Sequence, residues 1–350
     1  MANKGEWAEH YAFFKVLADK KLVALDKDKN LMNDLYYNVL EIVKNEKRYQ
    51  ILEQKINVVA NNKVISSFDS SEFEEKAEQI KTEILSNLTA SEILDEVLKF
   101  ECQIGIEEMK ASSKNKADII IKVHDFNTNI DSKLAFSIKS QWGSSATLVN
   151  ASKVTNFIYR VIGNLTENEI QNFNQLKTFD EKAEFLAQNN CSLQFENCSS
   201  ETFEDNLTMI DSLMTTIIAD LLLKFYVESY QKTGKRISNL SNLTALLSNE
   251  KLSQKHLIYK IKQYLFAVAL GMNPAKEWLG RFEANGGYLI VKAKGEIGIY
   301  HLINLNEFQD YLFENTKLET ASTNRHEFGK IYNENGVNKI RLNLQVRFTD

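Results

Sequence analysis

The sequence contains few of the residues that break, cross-link or anchor a chain. It has one proline and 13 glycines in 350 residues, and no stretch rich in proline, glycine or serine marks a linker. None of the three cysteines lies in a CxxC pair, which argues against a disulfide framework or a zinc cluster and favours a reducing cytoplasm. The most apolar stretch, Met209 to Val227, carries Asp211, Asp220 and Lys224, so a membrane span is not expected.

Several common enzyme signatures are also absent. The chain has no P-loop, no dinucleotide-binding GxGxxG, no GxSxG and no HExxH. Its 42 basic and 47 acidic residues give a net charge of −5, but residues 251–350 carry +4 and the rest −9. A local positive face can bind phosphates even when the whole chain is acidic, so composition neither supports nor excludes a nucleic-acid partner.

Hydrophobic periodicity predicts an α+β fold. The predicted helices cover residues 5–20, 32–46, 70–85, 91–101, 180–188, 202–234, 255–270 and 305–314, with a short one opening at Pro274. The predicted strands lie within residues 49–60, 118–123, 134–139, 156–162, 288–292, 297–302 and 339–348. A division near residue 170 gives an N-terminal α/β core (1–170) and a helical and β C-terminal part (171–350).

Two apolar segments, Asp118–Val123 and Leu134–Lys139, predict neighbouring strands joined by a polar turn. Side chains alternate across a strand, so Ser137 and Lys139 share the polar face of the second one. If the strands pair antiparallel, Asp118 at the start of the first meets Lys139 at the end of the second. The sequence thus predicts a carboxylate, a hydroxyl and an ammonium group at one edge of a sheet.

A carboxylate beside a lysine suits metal-dependent phosphodiester hydrolysis. The carboxylate holds Mg²⁺, which polarises the phosphate and acidifies a bound water. The lysine orients or deprotonates the attacking water and offsets charge at phosphorus. The spacing from Asp118 to Ser137-Ile138-Lys139 fits the PD-(D/E)xK nuclease pattern, with Ser137 in the place of the second acid. Ser137 either fills the space of that acid or holds a water, and the missing carboxylate has to come from elsewhere.

The N-terminal helix is the candidate source of the missing acid. Residues 5–9 form a G-x-x-x-E arrangement, which in several nucleases of this type carries a helical glutamate to the metal. Glu9 is the first candidate and Glu6 the second, because three-residue spacing puts both on one helical face. An ordinary surface glutamate is the competing interpretation for each.

Several short segments, kept in order and spacing over nearly the whole chain, give a more specific signal. The chain resembles the HpaII-type restriction endonuclease family. The segments that carry the resemblance are Lys4–Glu9, Ala117–Ile119, Phe136–Ser140, Thr147–Ser152, Thr155–Phe157 and Arg341–Phe348.

The resemblance implies a restriction-endonuclease-like core, a central mixed β-sheet flanked by helices. It implies a type II enzyme that cuts double-stranded DNA at a short palindrome such as CCGG with Mg²⁺ and leaves 5′-phosphate ends. Such an enzyme works beside a cognate DNA methyltransferase in the cytoplasm. A palindromic target suggests a homodimer, with residues 171–350 serving DNA recognition or dimerisation. The recognition site of this chain does not follow from the resemblance.

Polar residues after the second strand are the candidates for DNA contact. Gln141 continues the polar strand face and is a further catalytic candidate. Small hydroxyl donors suit phosphate contacts, while asparagine, lysine and arginine can read base edges. The predicted DNA-binding residues are Ser144, Ser145, Thr147, Asn150, Ser152, Lys153, Asn156, Asn324, Arg325 and His326.

Two alternatives stay open at this stage. One is a structure-specific or repair nuclease of the same fold. The other is a non-catalytic DNA-binding protein in which Asp118 and Lys139 form a structural ion pair.

Overall fold

The computed structural model describes residues 4–86, 92–106, 117–321 and 326–349. Its strands are β1 (Lys21–Leu25), β2 (Leu31–Lys44), β3 (Lys47–Ile51), β4 (Lys55–Ala60), β5 (Lys63–Asp69), β6 (Ile119–Asp125), β7 (Ile130–Ser140), β8 (Thr147–Val149), β9 (Asn156–Ile162), β10 (Ser192–Cys198), β11 (Gly287–Val291), β12 (Ile297–Tyr300), β13 (Thr316–Leu318), β14 (Ile331–Glu334), β15 (Val337–Asn343) and β16 (Val346–Phe348).

The α-helices are α1 (Lys4–Asp19), α2 (Ser70–Leu85), α3 (Glu92–Gln103), α4 (Glu167–Gln175), α5 (Phe179–Gln188), α6 (Glu201–Ile210), α7 (Met214–Leu223), α8 (Ser229–Thr233), α9 (Leu240–Ala245), α10 (Gln254–Leu270) and α11 (Leu305–Glu314). The predicted α+β class is confirmed. None of the helices in the described ranges is long and apolar enough to cross a membrane.

The chain folds into two compact units. The first unit contains residues 1–146 and 282–311, and the second unit contains residues 147–281 and 312–350. The chain thus passes between the units at three points, whereas the sequence-based division at residue 170 cuts it once. The reason is that β11 and β12, late in the sequence, hydrogen-bond to β7 and β1 of the first unit.

A nine-stranded mixed sheet is the frame of the first unit. Its strand order is β1-β12-β11-β7-β6-β2-β3-β4-β5, and β1 also pairs with β2. Because of this extra pairing, six strands close into a ring: β1, β12, β11, β7, β6 and β2. β2 can take part twice because it is 14 residues long and pairs with β1, β6 and β3 along its length.

Helix α1 packs its apolar stripe into the core of the first unit. Trp7, Tyr11, Phe14 and Leu17 recur at helical spacing and all four are buried. Burial of each such side chain contributes about 1.5–3 kcal/mol. The helix is therefore held firmly, and the polar residues between these positions are fixed with respect to the sheet.

The second unit contains two smaller antiparallel sheets. One has the order β10-β9-β15-β14 and the other the order β13-β16-β8. The predicted strand at residues 156–162 and the predicted helix at residues 305–314 coincide with β9 and α11, and are confirmed.

The predicted helix at residues 32–46 is wrong, because this segment is strand β2. The β2–β6 pair contains a bulge between Val39 and Glu41. Tyr37 and Val39 are buried before the bulge, whereas Ile42 and Lys44 are buried after it. The extra residue turns a strict alternation into mixed spacings of two and three, which resemble the period of a helix.

Two further predictions in the helical part need correction. The segment at 202–234 is not one helix but α6, α7, a π-helical turn (Lys224–Glu228) and α8. Asp211 interrupts it with an extended backbone, and its carboxylate accepts a hydrogen bond from the Leu213 amide at 2.9 Å. Pro274 lies in a turn and opens no helix.

Candidate active site

The antiparallel pair of β6 and β7 brings Asp118 to the end of β7 that carries Lys139. Ile119 lies opposite Phe136, and the Asp118 amide donates to the Phe136 carbonyl at 2.8 Å. Asp118 therefore lies directly before β6, level with residues 136–138 of the neighbouring strand. This is the antiparallel arrangement that the sequence predicts.

Ser137 connects the carboxylate to the lysine. Its hydroxyl donates to Asp118 Oδ2 at 3.1 Å and accepts from Lys139 Nζ at 2.8 Å. The Ile138 amide donates to the same Asp118 oxygen at 2.7 Å. Ser137 is only 4% exposed, so its hydroxyl is shielded from bulk water, whereas Asp118 and Lys139 are half-buried. Two donors fix the orientation of the Asp118 carboxylate.

Lys139 lies in surroundings that disfavour its charge. Its Nζ is 5.0 Å from the ring centroid of Tyr288 on β11, the parallel neighbour of β7. Burial lowers the pKa of Lys139, while the carboxylates of Asp118 and Glu9 act in the opposite direction. A lysine with a lowered pKa and a fixed position can accept or donate a proton more readily than an exposed one.

Glu9 is the N-terminal carboxylate that faces this group. Burial raises the pKa of Glu9, and the negative charge of Asp118 raises it further, against the effect of Lys44, His10 and Lys139. Within the described ranges, no residue forms a hydrogen bond to the Glu9 carboxylate. Two carboxylates thus share a small region in which their charges repel.

A cavity of about 670 Å³ opens beside these groups. Glu9 and Lys139 line it, together with Glu6, so both glutamates predicted from the sequence border the same space. The remaining lining residues are Lys4, Gly5, Ile138, Ser140, Gly143, Ser144 and Ala146. The cavity gives a substrate access to Lys139.

The donor set fits a hard divalent cation such as Mg²⁺. This ion binds to proteins through one or two carboxylates and keeps several waters. Asp118 and Glu9 supply two carboxylates whose mutual repulsion a cation would relieve. The described part of the chain holds no group of three or more His, Cys, Asp or Glu side chains placed for a metal. The site therefore suits an ion that keeps water ligands.

Lys44 is the residue of this site that sequence reasoning missed. It is 8% exposed, and its Nζ donates to the backbone carbonyl of Asp118 at 3.0 Å. Burial lowers its pKa, whereas the charges of Glu9, Asp118 and Glu101 raise it. An amphipathic helix at residues 32–46 gave no reason to place Lys44 near Asp118. The signal that could have indicated Lys44 is the change in the spacing of apolar residues across the bulge in β2.

Gln141, predicted as a catalytic candidate, binds the backbone instead. Its side chain is exposed, and Oε1 accepts a hydrogen bond from the Ala293 amide at 3.0 Å. The backbone amide of Gln141 donates to the carbonyl of Val291 at 2.9 Å. These contacts tie the end of β7 to the turn after β11.

The predicted DNA-binding residues differ in their exposure. Asn150 is exposed, and Ser144 lines the cavity of the first unit. Ser145, Thr147 and Ser152 are half-buried. The exposed Lys153 forms an ion pair with Glu327. Asn324 and Arg325 lie outside the described residues.

Asn156, predicted as a DNA-contacting residue, lies inside the second unit. It is 1% exposed, and its amide donates to the His326 carbonyl at 2.7 Å and accepts from Asn343 at 2.7 Å. Both ends of the amide are therefore engaged inside the second unit. His326 itself is half-buried, and its backbone carbonyl is the partner of Asn156.

Comparison with known proteins gives two findings that agree. A model of the HpaII restriction endonuclease family matches residues 3–348. The chain is 40% identical to the type II restriction enzyme HpaII of Haemophilus parainfluenzae over 356 residues, which cover 99% of this chain and 98% of that protein. No solved structure matches the chain. The family predicted from the sequence is confirmed, and the chain belongs to the HpaII restriction endonuclease family, a family of type II site-specific deoxyribonucleases.

Proposed function

We propose that the chain hydrolyses phosphodiester bonds of double-stranded DNA with Mg²⁺ at a short palindromic site, CCGG or a sequence like it. The observation that carries the proposal is the hydrogen-bonded series Asp118, Ser137 and Lys139, whose charges interact with Glu9, and Glu9 and Lys139 line one cavity. The name of its relative, a type II restriction enzyme, supports the same activity.

The proposed site has three functional groups. Asp118 and Glu9 would hold the metal, with Glu6 as the reserve ligand. When bound, the cation supplies a polarised phosphate and a more acidic water. Lys139 orients the attacking water as an ammonium group or accepts its proton as a neutral amine, because Ser137 fixes its side-chain nitrogen and burial lowers its pKa.

The reaction is an in-line displacement at phosphorus. The water oxygen forms a bond to phosphorus, and the bond to the 3′ oxygen breaks. The proton lost by water is balanced by the proton gained at the leaving oxygen. The products are therefore a 5′-phosphate and a 3′-hydroxyl.

The fold and the partners of the enzyme extend the proposal. We assign the PD-(D/E)xK motif and a restriction-endonuclease-like core to α1, β6 and β7, with Ser137 in the place of the second acid. Catalysis would then belong to residues 1–170, and recognition or dimerisation to 171–350, except that residues 282–311 pack in the first unit. A homodimer matches a palindrome, and a cognate methyltransferase would protect the host DNA in the same cytoplasm.

The DNA contacts belong to the same proposal. Ser144, Ser145, Thr147 and Ser152 suit phosphate oxygens. Asn150 and Lys153, with Asn324, Arg325 and His326, suit base edges.

Digestion of unmethylated phage DNA tests the activity. The purified protein is incubated with the DNA in Mg²⁺ and, in parallel, in EDTA, with the Lys139→Ala variant as the matched control. We expect discrete fragments in Mg²⁺ alone, whose mapped ends give the target and the cut position. A smear, or cutting only at junctions, would instead indicate a nuclease without sequence preference. Uncut DNA that contains varied short palindromes would contradict the proposal.

A further inference from the structure

Lys44 reaches the candidate active site because of one irregularity in β2. Strict alternation from Tyr37 and Val39 would bury positions 41 and 43 and expose position 44. The bulge after Val39 reverses the phase, and Lys44 is buried while Val43 is half-buried. A bulge that turns a charged side chain inward, where it binds the backbone of Asp118, is a specific structural feature.

The hydrogen bond of Lys44 fixes the backbone of Asp118. Its Nζ donates to the Asp118 carbonyl at 3.0 Å, and the Asp118 amide donates to the Phe136 carbonyl at 2.8 Å. Both backbone polar groups of Asp118 are therefore held, one by a side chain of β2 and the other by β7. The base of the Asp118 side chain cannot shift without losing one of these bonds.

The ammonium group of Lys44 also interacts with several negative charges. The carboxylates of Glu9, Asp118 and Glu101 interact electrostatically with it. Glu101 is 3% exposed and binds Nδ1 of His10 at 2.5 Å, and His10 follows Glu9 on α1. Lys44 thus interacts both with the carboxylate pair of the candidate metal site and with a buried carboxylate outside that site.

We propose that Lys44 is a positioning residue with two effects on the metal site. It holds Asp118 in place through the backbone carbonyl, and its charge neutralises the Glu9 and Asp118 pair while no cation is bound. A divalent cation therefore binds against the positive charge of Lys44. This inference rests on the proposed function, because it assumes that the pair holds a metal.

Calorimetric titration of metal-free protein with Mn²⁺ measures the electrostatic effect without any cleavage. In the Lys44→Met variant the side chain keeps its length but loses its charge, so we expect Mn²⁺ to bind about tenfold more tightly. The kcat at saturating Mg²⁺ should fall at least about tenfold, because Asp118 loses its backbone anchor. A purely structural lysine would not produce tighter metal binding together with slower cleavage.

Three further variants separate the effects. Lys44→Arg keeps the charge and should bind Mn²⁺ as the wild type does. Lys44→Gln loses the charge but keeps a hydrogen-bond donor, so it should bind Mn²⁺ more tightly than the wild type. It replaces Lys44→Met in the titration if that variant does not fold. Lys122→Met makes the same change at an exposed ion pair on β6 and should alter neither measurement.

The possible outcomes distinguish this inference from the proposed function. Unchanged or weaker Mn²⁺ binding by a folded Lys44→Met or Lys44→Gln variant, with normal binding by the wild type, overturns the inference alone. Tighter Mn²⁺ binding by Lys44→Arg overturns it as well. A wild type that neither binds Mn²⁺ nor cuts DNA contradicts the proposed function, and the inference with it.

Discussion

Both units bury lysine side chains, but the groups around these lysines differ. In the second unit, Lys182 is 6% exposed, donates to the Gly329 carbonyl and lies 5.3 Å from each of the Phe173 and Phe179 rings. Its pKa is lowered to about 8, chiefly by burial. In the first unit, the buried Lys44 and the half-buried Lys139 interact instead with the carboxylates of Asp118 and Glu9, and Glu9 and Lys139 line a cavity. A buried lysine whose contacts are all with the protein framework supports the fold. A lysine that interacts with two mutually repelling carboxylates at a candidate site is instead a candidate for function.

The buried polar side chains show the same contrast. The amide of Asn156 in the second unit is engaged at both ends, as native buried amides usually are. The Glu9 carboxylate in the first unit has no hydrogen bond to the described part of the chain, and burial and Asp118 both raise its pKa. Four predictions test whether this contrast divides function from framework.

The largest effect is expected from Lys139→Ala. Cleavage should fall at least about 1,000-fold, because the group that we propose orients the attacking water is lost. Affinity for DNA should stay within a few-fold of the wild type, measured by gel shift with Ca²⁺. The control is Lys122→Ala, which removes an exposed lysine paired with Asp131 on the same two strands. Wild-type cleavage by Lys139→Ala would remove the basis for assigning catalysis to the first unit.

Glu9→Gln should have the next largest effect, about a 100-fold loss of kcat, because it removes the charge of a proposed metal ligand. The matched control is Glu6→Gln, three residues earlier on the same helix and lining the same cavity. It should lose less than about fivefold. If the two losses are reversed, Glu6 is the ligand and Glu9 belongs to the framework.

Asn156→Ala should lower the free energy of unfolding by about 2 kcal/mol, since it removes the buried hydrogen bonds that Asn156 forms with the Asn343 amide and the His326 carbonyl. Urea denaturation measures this loss. Asn150→Ala, at an exposed position, should change stability by less than about 0.5 kcal/mol. A normal stability combined with altered sequence preference would return Asn156 to the DNA-binding residues.

The smallest effect concerns pH and the metal-free protein. The pKa of Glu9 is raised by burial and by Asp118, so the folded state binds its proton more tightly than the unfolded state. The stabilising effect of this tighter proton binding is complete below the usual glutamate pKa and is lost as the pH rises through the raised pKa. Glu9→Gln should therefore melt about 2–4 °C above the wild type at neutral pH in EDTA.

That gain should disappear as the pH falls below the usual glutamate pKa. A gain that does not depend on pH would show that the side-chain amide, rather than the removed charge, is responsible.

Much of the site can be predicted from the sequence because its central part is local. β6 and β7 are joined by a short turn, so alternation within each strand was enough to place Asp118, Ser137 and Lys139 together. Helix α1 could also be predicted from the sequence, because its apolar residues recur at helical spacing over four turns. The resemblance to a known family extended the functional prediction to nearly the whole chain.

The rest depended on contacts between distant parts of the chain. Lys44 and Asp118 are 74 positions apart, and only a bulge in a long strand turns Lys44 inward. Tyr288 reaches Lys139 because β11 joins the sheet from residues 287–291. No local pattern encodes such a pairing, because register between distant strands is decided by the packing of the whole sheet.

The sequence by itself determined the α+β class, the family, and the hydroxyl and ammonium groups that meet Asp118, because alternation and helical period are properties of neighbouring residues. Only the tertiary structure decided which charges share the buried space around Asp118. It also decided which polar residues, such as Asn156, are engaged in the framework. The physical reason is that burial and electrostatic coupling depend on distance in space, which the chain sets only when it folds.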